Sequence, residues 1–350
     1  MRRKLTTRDG DALTRTRDAA VGPGWFDRFY VNAHADTAAP FVMLGAGVYP
    51  AEGLVDGYAS IVTETEQINL RVSSAADPAD LPNAVGPLSW ETVEPLRSWR
   101  IRLGDNPSGM TADLTWTART APWECAEVVL PGGDGSLLAF DHAFQSGTHE
   151  GWVEVDGTRH EVRGWTGQRD RSRGRRPATA GQGVHLWVQA QFPDECVAFM
   201  YDLDRSNQPT LLDGAVLGTD GGVDPIVAVG HDLGFDTDLE ARPARLDLRT
   251  ERGRRLGLRV DPTVRRGGFL AAAGYGSFHG RDHGPSHLEH DRWDLHAADR
   301  VPRALGYPLT DRLAKFVCEE DGTSRTGSGV YEFAHTRSPA YRYEPAAVSG

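Results

Sequence analysis

Short runs in which apolar and polar residues alternate recur along almost the whole chain. Trp99-Arg100-Ile101-Arg102-Leu103, Ala112–Ala118, Gly151–Val155 and His185–Ala190 are the clearest. A period of two turns successive side chains to opposite faces, so each run predicts a strand with one face on a core or cavity. More uniformly apolar runs, Phe41–Leu44, Tyr58–Val62, Ile68–Val72, Val197–Tyr201 and Ile226–Val229, end at Gly, Pro, Asp or Asn and also predict strands. The same holds for Ala244–Leu248, Leu256–Val260 and Gly329–Phe333. Asp156-Gly157, set between Val155 and the run His160-Glu161-Val162, is a hairpin signal. Helical periodicity is nearly absent; between Ala298 and Lys315 there is room for one or two helical turns, interrupted by Pro302 and Pro308. The pattern predicts an all-β protein.

Composition sharpens this picture. In 350 residues there are 40 Gly and 21 Pro, the turn residues that many short strands need, and nine Trp to fill a core. The length exceeds what one hydrophobic core usually serves. Two segments resemble each other in plan: Gly147-Thr148-His149-Glu150-Gly151-Trp152 and Gly327-Ser328-Gly329-Val330-Tyr331-Glu332 are both glycine-rich strands carrying a carboxylate. We therefore expect a polar N-terminal segment (1–22) and two β domains (23–177 and 178–350), with the boundary near Pro177–Gly183. A formal net charge of -11 argues against nucleic-acid partners. Cys125, Cys196 and Cys318 are odd in number and far apart, so neither a disulfide framework nor a thiolate metal site is expected. There is no apolar stretch long enough to span a membrane and no secretory signal pattern, and a cytoplasmic protein is the expectation.

Against that acidic background, five of the eight residues from Arg169 to Arg176 are arginine. Arg169–Asp170 has two readings: a buried ion pair linking the halves, or an Asp170 that faces a cavity with Arg169 orienting it. The run Arg171–Arg176 reads as a solvated interdomain loop, or as a cationic rim for an anionic substrate group. Glu150, Glu154 and Glu332 read as solvent-facing strand residues. His279, His283, His287, Glu289, His290 and His296 form a histidine-rich stretch whose simplest reading is a mobile surface loop; a metal site and a pH-sensitive lid are the alternatives. Gly284-Pro285 between His283 and His287 argues against a helix that would align them. No phosphate-binding loop, dinucleotide fingerprint or nucleophile elbow occurs.

The frame Arg169-Asp170-x-Ser172-x-Gly174-x-Arg176 resembles the central motif of the carotenoid 1,2-hydratase (hydroxyneurosporene synthase) family, whose distant relatives include tocopherol cyclases and fungal Diels–Alderases. Trp25-Phe26-x-x-Phe29-Tyr30-x-Asn32, the stretch Trp187–Asp202 and the ending Glu319–Gly322 to Glu332 support the resemblance. It implies two lipocalin-like β-barrel or sandwich halves, a lipophilic cavity, a hydrophobic small-molecule substrate and no cofactor or metal. The family's motif has His where this chain has Arg171, and Trp where it has Arg173. Arginine does not release its proton near neutral pH and opposes a carbocation, so alkene hydration by polyene protonation is disfavoured. The expectation is a cyclase acting on a polyene, isoprenoid or polyketide-like substrate of secondary metabolism. Asp170, Arg169 and Arg171 would be catalytic, and Trp165, Arg173, Trp187, Tyr201 and Tyr275 would bind substrate. An alkene hydratase or dehydratase and a non-catalytic lipophile carrier are the alternatives.

Overall fold

A computed structural model describes residues 13, 21–76, 82–126, 128–131, 137–175, 182–297 and 309–348. The expected helical turns at 298–308, Arg176 and most of the expected 177–183 boundary lie outside these residues. The fold is all-β, with two lipocalin-like halves. The chain divides into two compact units, 1–35 with 39–178 and 272–294, and 36–38 with 179–271 and 295–350.

The first unit begins with four long strands, β1 (Trp25–Ala35), β2 (Ala38–Tyr49), β3 (Leu54–Val62) and β4 (Glu66–Ala75). Shorter ones follow: β5 (Ala84–Val85), β6 (Leu88–Glu94), β7 (Ser98–Leu103), β8 (Met110–Ala118), β9 (Trp123–Glu124) and β10 (Val128–Pro131). The long hairpin β11 (Leu137–Val155) and β12 (Thr158–Arg175) turns at Asp156-Gly157 as the sequence predicts. Both turn residues have positive φ, 49° and 78°, which suits the right-handed twist of the flanking strands. The second unit contains β13 (Gln182–Gln191), β14 (Glu195–Asp204), β15 (Pro209–Gly218), β16 (Val223–Phe235), β17 (Ala241–Thr250) and β18 (Arg255–Asp261). β19 (Ser286–Asp294) returns to the first unit, and β20 (Thr310–Glu320) and β21 (Thr323–His335) complete the second. Among the described residues, one sheet runs β19-β4-β3-β2-β1-β12-β11-β8-β7-β6-β5, with β9 and β10 on β11; β13–β18, β20 and β21 close a barrel.

Each unit has its own core. In the first, Trp99 and Trp116 are fully buried among Val31, Leu44, Ile61 and Leu70, and Phe29 meets Trp90 and Trp99 edge-on at 5.2 and 5.1 Å. In the second, Phe199, Leu246, Leu258, Phe316 and Tyr331 fill the barrel. Burying each such side chain contributes roughly 1.5–3 kcal/mol.

Four expectations are corrected. The arginine-rich run is not a loop: Arg169 to Arg175 belong to β12, where alternation turns Arg169, Arg171 and Arg173 to one face and Asp170 and Ser172 to the other. Residues 310–315, in the stretch expected to hold helical turns, are strand β20. The histidine stretch is no surface loop throughout, because 286–294 pair with β4 and the His279 side chain is buried. Glu332 is buried rather than solvent-facing. Glu150 accepts a hydrogen bond from the Gly164 amide at the strand edge.

Gly174, one of the motif residues, explains part of the motif. Its φ is 136°, and a Cβ there would lie 2.3 Å from the Ala139 carbonyl oxygen. Gly174→Ala therefore should lower stability by roughly 1–3 kcal/mol, read as the shift of a chemical denaturation midpoint. An unshifted midpoint would show that β12 does not need glycine here.

Candidate functional site

The motif strand contributes a charged group on the core-facing side of the first unit. Cross-strand register sets Arg171 opposite Phe29, and Arg169 opposite Val31 and Gln145. Arg171 donates from Nε and Nη2 to both carboxylate oxygens of Asp27 at 2.8 and 2.6 Å, and Asp27 is wholly buried. Arg169 donates to Gln145 Oε1, at 3.1 Å from Nη2. Its guanidinium lies 5.0 and 4.9 Å from the ring centres of Trp99 and Trp116. Trp165 joins the same core, and Arg173 approaches Asp141 at 3.6 Å. Asp170 is buried on the opposite face, opposite Tyr30 and Phe144, near a His142–Ser172 hydrogen bond of 2.7 Å. Strand alternation thus gathers Trp165, Arg169, Arg171 and Arg173 and separates Asp170 from them.

A second group in the same unit forms on the other face of β1–β3. Strand β2 carries Gly45 and Gly47 there. A Cβ at Gly45 would meet the Tyr58 ring at 2.6 Å, and one at Gly47 would meet Arg28 Cγ at 2.3 Å. Over this glycine floor lie Arg28, Tyr49, Asp56 and Tyr58, and the segment 272–280 adds Tyr275, Phe278 and His279. The hydroxyls of Tyr58 and Tyr275 are 3.4 Å apart. The His279 ring centre is 5.4 Å from that of Tyr58 and 5.2 Å from that of Tyr275. His279 Nε2 faces the Ala273 carbonyl at 3.0 Å, which can only accept, so Nε2 carries the proton. Its Nδ1 lies 3.2 Å from Asp56 Oδ1, and Asp56 Oδ2 accepts from the Gly280 amide at 2.8 Å. Tyr49 is pushed well above the ordinary phenol range by burial and by Asp56, although Arg28 opposes this. Gly276 and Ser277 are exposed and Tyr275 is half-buried, so solvent reaches the edge of the group.

Arg71 on β4 fixes this segment in place. Its Nη1 donates to the Ala272 carbonyl, Nε to Glu289 at 2.5 Å and Nη2 to Asp291 at 2.8 Å. Nearby, His283 stacks on Phe278 at 4.2 Å and His287 on His283 at 5.2 Å, with the rings nearly parallel. Among the described residues no group of three or more His, Cys, Asp or Glu is arranged to hold a metal ion.

The second unit holds the remaining predicted residues on different faces of its barrel. Tyr201 lies in the core, 5.5 Å from the His231 ring, and burial raises its phenol. Trp187 is buried opposite Glu332. Beside it stands a group that sequence reading missed: His185 bridges Asp202 through Nδ1 and Glu332 through Nε2, the latter at 2.8 Å. Burial opposes charge on His185, but the two carboxylates prevail and raise it to about 10. His185 and Glu332 sit on different strands far apart in sequence, where His185 only opens an alternating run and Glu332 reads as solvent-facing. Arg28, Asp56 and Tyr58 carried no motif either; His279 and Tyr275 were singled out, for a loop and for an aromatic wall.

A model of a family of unknown function (DUF8625) matches residues 14–340. No curated protein matches the sequence significantly. Among solved structures, kievitone hydratase from Nectria haematococca superposes with a TM-score of 0.50 at 12% identity, covering 95% of this chain and 96% of that one. A protein from Nitrosomonas europaea provisionally named AttH gives 0.52 at 12% identity, covering 96% and 98%. At this identity the likeness establishes the fold.

Two measurements test the electrostatics of these groups. Asp27→Ala leaves the Arg171 guanidinium buried without its carboxylate and should cost about 3–5 kcal/mol, whereas Asp27→Leu combined with Arg171→Met should recover most of that loss. Denaturation midpoints of the three proteins decide it. The pH dependence should have two limbs. Burial pushes His149 down from 6.5 to about 3, despite its contact with the Asn32 carbonyl, so its contribution is complete above pH 6.5 and is lost as pH falls towards 3. The raised His185 contributes fully below pH 6.5, and that contribution is lost as pH rises through about 10. His149→Gln should flatten the acid limb and His185→Gln the alkaline one in denaturation profiles against pH.

Proposed function

The chain belongs to a family of unknown function (DUF8625), and from that premise we propose that it is an enzyme that adds water to, or removes water from, a hydrophobic small molecule. The observation that carries this reading is the juxtaposition of the Tyr58 and Tyr275 hydroxyls, 3.4 Å apart, with His279, whose Nδ1 stands 3.2 Å from the Asp56 carboxylate. Removing water requires a proton acceptor for the carbon and a proton donor for the departing hydroxyl; adding water reverses both roles. An imidazole beside a carboxylate and a hydrogen-bonded pair of phenols offer both kinds of group on one face of the sheet. The wall of Tyr58, Tyr275 and Phe278 suits an apolar substrate. The likeness in fold to a structure named as a hydratase agrees with this reading by analogy.

Cyclisation through Arg169 and Arg171 is the second reading, and the resemblance of the motif supports it. The partners of these guanidiniums weigh against it: Asp27 takes Nε and Nη2 of Arg171, and Gln145 takes two nitrogens of Arg169. In the reading proposed here those residues hold β1, β11 and β12 together, and Asp170 belongs to the packing of the opposite face.

The test is incubation of the full chain with a panel of unsaturated and hydroxylated isoprenoids and polyketides in ¹⁸O-water, followed by mass spectrometry. Gain or loss of one water is expected. Tyr275→Phe and His279→Gln should each slow turnover about 10²–10⁴-fold while substrate is still bound. An isomeric, cyclised product favours the second reading, and a compound retained unchanged favours a carrier.

A further inference from the structure

Arg28 projects into the site just described, and its surroundings differ from those of Arg71, Arg171 and Arg292. Arg71 has Glu289 and Asp291, Arg171 has Asp27, and Arg292 has Glu66 and Asp156. Arg28 has no carboxylate oxygen within 4 Å among the described residues. Its guanidinium carbon lies 4.4 Å from the centre of the Phe26 ring and 5.4 Å from that of Tyr275. The Tyr49 hydroxyl stands beside it. Asp56 attracts it from farther off, with its own oxygens turned to Gly280 and His279.

The Tyr49 phenol does not serve as the missing anion, because burial and Asp56 keep it protonated. Asp56 favours the charged form of Arg28, and a guanidinium keeps its proton near neutral pH. A permanent cation therefore lies against the Phe26 and Tyr275 rings, with no carboxylate beside it among the described residues. A half-buried cation placed in this way is stabilised by an anion that arrives with a ligand. The absence of a Cβ at Gly47 gives the stem its path across the sheet.

We propose that Arg28 binds an anionic oxygen of the substrate, and that the substrate is a compound whose reacting carbon is conjugated to a carbonyl group. This rests on the reading of the site as a hydro-lyase and deepens it. In the dehydration direction a base of the site takes the proton from the carbon next to the carbonyl. The C–H electron pair becomes the C=C bond of the enolate, the carbonyl π pair moves to the oxygen, and the enolate forms against Arg28. The enolate then re-forms the carbonyl, its electrons make the C=C bond, and the β C–O bond breaks. The departing hydroxide takes a proton from the acid of the site and leaves as water. The sum is β-hydroxy carbonyl to α,β-unsaturated carbonyl plus water, with no redox change and no further reactant. Arg28 is a binding residue that stabilises charge where it develops.

The probe is 4-nitrophenol, whose phenolate imitates a conjugated oxyanion and absorbs at a different wavelength from the neutral phenol. Titration of the probe with the full chain over a range of pH reads which form is bound. The wild-type chain should favour the phenolate by about tenfold or more, the scale on which a nearby opposite charge favours an ionised group. Arg28→Lys should retain part of this preference and Arg28→Gln should abolish it, with near-ultraviolet circular dichroism confirming that both variants fold. Binding of the neutral phenol by the wild-type chain, no binding of the probe, or an unchanged preference in Arg28→Gln overturns the proposal. Because this readout needs no turnover, failure of the hydro-lyase reading appears separately, as absence of water gain or loss in ¹⁸O-water.

Discussion

The strands β1–β4 of the first unit are buried on both faces, and that constrains everything they carry. All nine residues of β3 are buried, although Asp56, Tyr58 and Ser60 alternate with Val55, Ala59 and Ile61. On one face the answer is packing of apolar side chains. On the other, each polar group must find a partner or leave a costly unsatisfied atom. Ser60 donates to Asn69, Asn69 to Asp291, and Arg71 to both Glu289 and Asp291, so the polar face of β3 and β4 is knitted to β19. The segment that brings Tyr275 and His279 is held by this requirement.

Charge follows the same rule with larger stakes. Arg171 enters the apolar side of the sheet, and Asp27 meets it with both oxygens from the neighbouring strand. Arg169 is met by a neutral amide and two indole faces. These arrangements commit Arg169 and Arg171 to partners within the protein. Among the described residues Arg28 has no carboxylate beside it, and such a cation at a group of tyrosines, an imidazole and a carboxylate is where binding of a charged ligand is physically reasonable. In the second unit His185 shows the rule obeyed in reverse, two carboxylates sharing one imidazole.

Much of the architecture was legible in the sequence. The alternating runs at Trp99–Leu103, Ala112–Ala118 and His185–Ala190 are strands, and the Asp156-Gly157 turn joins a hairpin, because pleat and turn chemistry act over a few residues. The arginine-rich run misled for a related reason. Its polarity suggests solvent, but Arg169, Arg171 and Arg173 alternate strictly with Asp170, Ser172 and Gly174, and that alternation is a strand pattern. Period is the better guide there than polarity. The candidate site was barely legible: Tyr275 and His279 attracted notice, whereas Tyr58 read as an ordinary member of a strand and Arg28 and Asp56 fell outside the patterned runs.

Local patterning is enough to establish that the chain is β-rich, where several of its turns fall and which residues share a face of each strand. These follow from the two-residue period of the backbone. Which faces meet was settled only in the packed fold. Strand register set Asp27 within reach of Arg171, and antiparallel pairing of β19 with β4 carried residues 286–294 more than two hundred positions back along the chain. Burial, counter-charge and hydrogen-bond partnership belong to pairs of residues brought together in space, so they leave no trace in short-range spacing. Nothing in the local spacing of Arg28, Asp56 and His279 records that they would share one glycine-floored site.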